Sequence, residues 1–333
     1  MRQETPDFIV NVDGDMRIVF MISYYPIPSS GYLRIGGVDR IEFLQRQTTN
    51  DLHLVQPGRA VLTVLTTPAA RILDVLYVLP EVEALGVITL PGRNESTRRY
   101  LQSRVFFMDK VTVADLSAEL AQIDLLGPDI PMFLERLGIN PLLQPDQVAT
   151  GVFEGDTVQA LALEPSFGLG VRLLLPAGRI TAIQTLLEQI GATQLLDEEY
   201  SLLRIEGGLP SAGAELTEDY TPLEAGLAAA ISSTKGCYTG QEVIARQVTY
   251  DKVTQHLCGL EVARRAHPGE RVWGLEGSPV GKITSAVHSP RFGEIALAVL
   301  KRPHHEPGAD VWVGERFESA VVGRVVALPF NND

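Results

Sequence analysis

Cysteine is nearly absent from this chain. Cys237 and Cys258 are the only two in 333 residues, and they form no Cys-x-x-Cys pair. A disulfide framework is therefore not expected, and a reducing, cytoplasmic setting is the natural reading. Iron–sulfur clusters usually take four thiolates, so one copy of the chain cannot store one by itself. Histidine is equally sparse: the six residues are scattered, and His304-His305 falls among prolines, so no metal site is expected. Positive charge is short as well. Lys plus Arg number 28 against 41 Asp plus Glu, a net charge of −13, which argues against a nucleic-acid partner because that needs a clustered basic face. An anionic small ligand remains possible, since a few local cations suffice to hold it. Long apolar runs are missing too. Arg71 and Asp74 interrupt the most apolar region, 61–79, so no membrane partner is expected. The opening MRQETPDF has mixed charge and no apolar stretch, so no secretory signal is expected. No Ser-His-Asp order or zincin motif occurs, and GSPVGKIT is one residue short of a phosphate-binding loop.

The length suits two or three domains. Residues 8–12 and 16–22 flank Asp13-Gly14 and predict a hairpin, and Tyr25 to Ser30 has the composition of a linker. Strands are predicted at 32–35, 60–66, 71–79, 85–90, 111–116, 121–126, 157–163 and 171–175. Helices are predicted after Ile35, at 94–103, after Pro128 and at 180–190. Pro141 and Pro145 mark a subdomain boundary at 140–150. Beyond residue 250, short strands alternate with Pro/Gly turns, the pattern of a small antiparallel barrel. The fold class is α+β with a C-terminal antiparallel β-barrel. Its parts are an N-terminal hairpin extension (1–28), an α+β region in two subdomains (29–249) and the barrel (250–333).

The most informative stretch is Lys235-Gly236-Cys237-Tyr238-Thr239-Gly240-Gln241-Glu242. Thr239 and Glu242 have capping-box spacing, which predicts a helix from Gly240. Cys237 would then sit just outside a helix N-terminus, where the dipole and Lys235 favour the thiolate. A buried packing cysteine in a tight turn is the competing reading.

KGCYTGQE resembles the signature of the YgfZ-type folate-binding proteins, whose mitochondrial relatives serve iron–sulfur protein maturation. These are similar in turn to the aminomethyltransferase (T-protein) of the glycine cleavage system. Further stretches agree: Gly31 to Asp51, Leu202 to Pro210, Thr221 to Leu227, GSPVGKITSAVHSP with IALAVL, and VVALPF. The resemblance implies a T-protein-like arrangement of ferredoxin-like subdomains around a central folate channel. It also implies tetrahydrofolate as cofactor, and folate and iron–sulfur client or assembly proteins as partners.

A folate site needs a carboxylate for the pterin's paired donors, an apolar or aromatic wall, and a cation for the glutamyl tail. Glu206 is the first carboxylate candidate. It falls in the last turn of a helix expected to start at Asp197, where a negative charge is unfavourable without a partner. A solvated surface glutamate is the plainer reading, while the match of Arg204-Ile205-Glu206-Gly207 to the T-protein motif implies a pterin contact. Asp74, on an apolar strand face with Ile72, Leu76 and Val78, is a candidate general base or folate contact; an ion pair with an arginine is the alternative. Ala70 to Val75 departs from the T-protein pattern at Arg71 and Val75, which weighs against aminomethyl transfer. Lys235 and Arg246 are the candidate cations. Three functions follow: a folate-binding accessory factor for iron–sulfur enzymes with Cys237 as its thiol, an aminomethyltransferase, or a binding module without catalysis.

Overall fold

A computed structural model of the chain describes residues 9–12, 15–18, 21–140 and 144–330. The N-terminal hairpin pairs β1 (Ile9–Val12) with β2 (Asp15–Ile18), Ile9 opposite Ile18; its turn lies outside the described residues. The next strand, β3 (Ser23–Pro26), occupies the start of the segment read as a linker. Tyr24 explains the difference. Its ring is fully buried with Ile123 and Leu125, and Pro26 stands at the last strand position, where a missing N–H costs least.

Two units of the same design follow. The first runs β4 (Gly31–Gly36), α1 (Arg40–Gln47), β5 (Val61–Thr66), β6 (Ile72–Glu81), β7 (Ala84–Thr89), α2 (Asn94–Ser103), β8 (Thr112–Asp115), with sheet order β5-β6-β7-β4-β8. The second runs β9 (Leu120–Leu126), α3 (Ile130–Arg136), β10 (Val148–Phe153), β11 (Asp156–Ala162), β12 (Val171–Pro176), α4 (Ile180–Gln189), β13 (Thr193–Gln194). Its order is β10-β11-β12-β9-β3-β13. Apart from the inserted β3, the orders coincide, and without the first strand of each hairpin they are ferredoxin-like. No sequence repeat signals this. The two sheets meet between β8 and β9, at 116–119, and not at 140–150. Pro145 lies between α3 and β10, inside the second unit, and Pro141 lies outside the described residues.

The sheets pack face to face, with helices outside. Leu62, Val64, Val75, Tyr77 and Ile88 of the first sheet share a core with Val148, Leu161 and Leu174 of the second. Phe43, Leu44 and Leu101 cover the outer face of the first; Phe133, Leu134, Ile183 and Leu187 cover that of the second. Alternation along β6 sends Val75, Tyr77 and Leu79 to the inter-sheet core and Leu76 and Val78 to the helices. A bulge interrupts it: Leu65 pairs Asp74 but Thr66 pairs Ile72, leaving Leu73 as the extra residue. Ile72 therefore joins Val75 in the inter-sheet core, whereas the sequence pattern put it on the face of Asp74.

After α5 (Asp197–Glu206) and α6 (Gln241–Thr249) comes the barrel: β14 (Gln255–Val262), β15 (Arg271–Trp273), β16 (Pro279–Ser289), β17 (Gly293–Lys301), β18 (Asp310–Val313) and β19 (Val321–Val326). It closes in the order β14-β17-β16-β15-β18-β19, all neighbours antiparallel, so no strand edge is left open. Among the described residues no helix is long and apolar enough to cross a membrane.

Candidate functional site

A cavity of about 340 Å³ opens between the two sheets, under α5. Val75, Tyr77, Ile88 and Leu90 form one wall, Tyr25, Ile27 and Arg172 the other. Along its length α5 brings Asp197, Tyr200 and Ser201, and Arg204 from its last turn; Phe167 and the segment 209–212 close the rest. The Tyr25 and Tyr200 rings stack at 4.0 Å between centroids. Their hydroxyls point into charge. Tyr25 donates to Asp197 (3.1 Å), and Tyr200 donates to the fully buried Asp124 (2.7 Å), which Arg172 grips through two nitrogens at 2.7 and 2.9 Å. Burial, reinforced by Asp197, pushes the Tyr25 hydroxyl up to about 12, and burial with Asp124 raises Tyr200 further, so both remain donors. Burial works against the Arg172 charge, but Asp124 more than offsets it and holds its pKa above the ordinary value.

At the other end, Arg204 donates to the Leu209 carbonyl and to Ser285, both at 3.0 Å. The fully buried Glu215 accepts from the Ser211 N–H (2.9 Å) and from the Ser285 hydroxyl (2.7 Å), 3.6 Å from Arg204. Burial lowers the Arg204 pKa against the pull of Glu215.

The residues singled out in the sequence stand elsewhere. Asp74 lies behind the cavity wall, fully buried. It accepts from the N–H groups of Val75 (2.8 Å) and Leu90 (3.0 Å), two cavity-lining residues, and from the Thr97 hydroxyl of α2 (2.5 Å). Its partners are thus backbone and threonine, with no direct arginine pair among the described residues. Burial pushes its pKa up to about 7 despite these donors. Glu206 ends α5 outside the cavity lining, accepting from Ser289 (2.6 Å) and facing Arg291 (3.5 Å). Barrel residues thereby compensate the charge at the helix C-terminus that a ligand was expected to compensate. Lys235 is buried, and its ammonium donates to the carbonyls of Gln45 (2.8 Å), Thr48 (2.7 Å) and Asn50 (2.6 Å). Burial draws its pKa down to about 8, yet three acceptors match the three protons of the charged form. It ties the Cys237 loop to the end of α1 and has no proton left for a ligand. Arg246 is paired at 2.6 Å with Glu242 on the exposed face of α6.

Cys237 is exposed, which excludes the packing reading, and it does not line the cavity. Its loop is held on both sides. The Thr239 N–H donates to the Arg46 carbonyl (3.1 Å), and the Thr239 carbonyl accepts from Thr66 (2.8 Å). The expected capping box does not form: Gly240, at φ +85°, is the N-cap, and Glu242 turns to Arg246. Only glycine suits that position, where a Cβ would stand 2.8 Å from Thr66 Oγ1 and 2.9 Å from the Thr67 carbonyl. Cys258 is the packing thiol: it is buried in the barrel core, and burial pushes it up to about 12.

Family comparison covers both halves of the chain. The GCVT N-terminal domain matches residues 27–235, and the glycine cleavage T-protein C-terminal barrel domain matches 255–331. The chain belongs to the glycine cleavage T-protein family. Among its relatives, a putative chloroplastic transferase of Arabidopsis thaliana is 33% identical over 303 residues, 90% of this chain and 69% of the relative. A probable aminomethyltransferase of Haloarcula marismortui is 30% identical, covering 88% of this chain and 83% of the relative. The solved aminomethyltransferase T of the glycine cleavage system from Bartonella henselae superposes with a TM-score of 0.82 over 97% of this chain and 94% of that one; at 20% identity it shows a shared fold.

Within this T-protein fold, the cavity residues escaped the sequence reading. One signal was available. Asp124 lies between Ile123 and Leu125, and Arg172 between Val171 and Leu173, single opposite charges in two apolar strands. They are cross-strand neighbours in the β12–β9 register. The stacking of Tyr25 on Tyr200, 175 residues apart, had no local signal.

Proposed function

We propose that this T-protein family member binds tetrahydrofolate between its two sheets and serves iron–sulfur enzymes through Cys237, in the manner of the YgfZ-type proteins. The observation that carries the reading is an exposed thiol on a rigidly tethered loop outside the cavity, where neither packing nor the cavity uses it. The cavity fits a folate by the chemistry of its lining. Tyr25, Tyr77, Tyr200 and Phe167 offer aromatic wall, Asp197 a carboxylate for paired donors, and Arg204 and Arg172 positive charge for carboxylates. Tetrahydrofolate, when bound, supplies a carrier for a one-carbon unit. Asp74 would act through the wall: it fixes the N–H groups of Val75 and Leu90 and, at zero exposure, has no path to a reacting atom.

Aminomethyl transfer is the second reading, favoured by aminomethyltransferase relatives such as that of Halalkalibacterium halodurans, 25% identical over 92% of this chain and 86% of the relative. Calorimetric titration with tetrahydrofolate, run beside a glycine-cleavage assay with lipoylated carrier protein, separates the two. Binding without turnover is expected. Turnover at an ordinary enzymatic rate selects the second reading, and absence of binding refutes both. Cys237→Ser is expected to keep its melting temperature and folate affinity but to leave iron–sulfur enzymes inactive in cells lacking the native protein. Full restoration of those enzymes removes the thiol from the function.

A further inference from the structure

Phe106, Phe107 and Met108 are the only three consecutive large apolar residues that all stand in solvent among the described residues, at 65%, 96% and 73% exposure. They form the tip of the turn after α2. The turn is held firmly. Asp109 accepts from the Phe106 N–H (3.0 Å), its own N–H donates to the Phe106 carbonyl (2.9 Å), and Arg46 clamps the carboxylate at 2.9 and 3.0 Å. The carbonyl of the same Arg46 receives Thr239, two residues beyond Cys237, and the neighbouring Gln45 carbonyl receives Lys235. The last turn of α1 therefore tethers both the apolar tip and the thiol loop.

The surroundings of the tip have a sign. Exposed Arg104 and Lys110 flank it. From Arg93 to Lys110 there are five basic residues and two acidic ones, in a chain with a net charge of −13; Arg98 and Arg99 are paired with Glu95, which leaves Arg104 and Lys110 as the exposed cations beside the tip. An exposed apolar tip contributes nothing to the core and favours association, so one held in place by its own hydrogen bonds and an ion pair marks an interaction surface. Charge complementarity selects its occupant.

We propose that this tip is the docking surface for a partner protein that presents an apolar groove rimmed by carboxylates. Phe107 enters the groove, Arg104 and Lys110 meet the rim, and the partner is set beside the Cys237 loop. The link to Cys237 rests on the proposed role of that thiol; the docking surface itself does not.

The test places a photoreactive benzoylphenylalanine at position 107 of the full chain in cells. The cross-linked partner is identified, purified and titrated against wild type, Phe107→Ser and the double variant Arg104→Glu/Lys110→Glu. Each variant is expected to lose about tenfold or more in affinity, with melting temperature and tetrahydrofolate affinity unchanged. Salt is expected to weaken wild-type binding more than that of the charge-reversed variant. The proposal is overturned by the absence of an adduct, by an adduct only with a second copy of the chain, or by equal affinity of all three proteins. Tip-dependent sedimentation with phosphatidylglycerol vesicles in place of partner binding also overturns it. A Phe107→Ser protein that still restores iron–sulfur enzymes where Cys237→Ser does not sinks the docking surface alone. The reverse pairing sinks the thiol reading and leaves the surface standing.

Discussion

Asp74 makes a measurable demand on stability. Its carboxyl is fully buried, and burial raises its pKa from the ordinary 3.8 to about 7 in the folded chain. The unfolded chain therefore loses this proton near pH 4, while the native state keeps it to about pH 7. Between those values the native state binds one proton more, so the free energy of unfolding falls as pH rises, by up to about 1.4 kcal/mol per pH unit. Above pH 7 both states are ionised and the slope from this group ends. A shift of about three units corresponds to roughly 4 kcal/mol of stability present at acid pH and missing at pH 8, an upper bound for one group. Asp74→Asn removes the titration but keeps an amide oxygen for Val75 and Leu90, while Thr97 can turn to accept from the amide nitrogen. The assay is urea denaturation of both proteins from pH 4.5 to 8. Other titrating groups cancel in the difference, which is expected to move in favour of the variant as pH rises and to level off above pH 7. Infrared spectra at pH 6 should show a protonated-carboxyl band in wild type that the variant lacks. A difference that does not change with pH, or the absence of that band, refutes the reasoning.

Glu206→Gln is expected to cost about 0.5–1.5 kcal/mol through the Ser289 and Arg291 contacts and to leave tetrahydrofolate affinity within about twofold, read by thermal melting and calorimetry. A large loss of affinity with unchanged melting would return Glu206 to the ligand site. A thiol reagent at neutral pH should modify exposed Cys237 first, since Cys258 is buried with its pKa raised to about 12; peptide mapping that finds Cys258 first reverses the assignment. Lys235→Met strips two buried carbonyls and a partly buried one of their donor and is expected to cost about 3 kcal/mol or more. Hydrogen exchange should show the 235–240 loop opening in that variant, and unchanged protection there would mean that the lysine does not hold the loop.

Much of the local structure was legible. The helix expected at 94–103 is α2, with those bounds, and the change to short strands and Pro/Gly turns after residue 250 marked the barrel. Periodicity and turn chemistry act over a few residues, so a sequence states them directly. The KGCYTGQE segment likewise announced a helix start at Gly240, although the cap is the glycine and not Thr239. The remaining features depend on contacts between distant residues. Tyr25 and Pro26 read as the start of a linker until the preceding Tyr24 meets Ile123 and Leu125 and draws them into β3. The bulge in β6 is visible only in its register with β5 and decides which face Ile72 and Asp74 take. The repeat of one strand order in two sheets leaves no sequence trace, because many apolar sequences satisfy the same pairing. Glu206 had the helix-end position predicted for it, but its partner was set by where the barrel docks, with Ser289 and Arg291 arriving from more than eighty residues away. A sequence specifies which charges need compensation; only tertiary packing determines which groups come close enough to provide it.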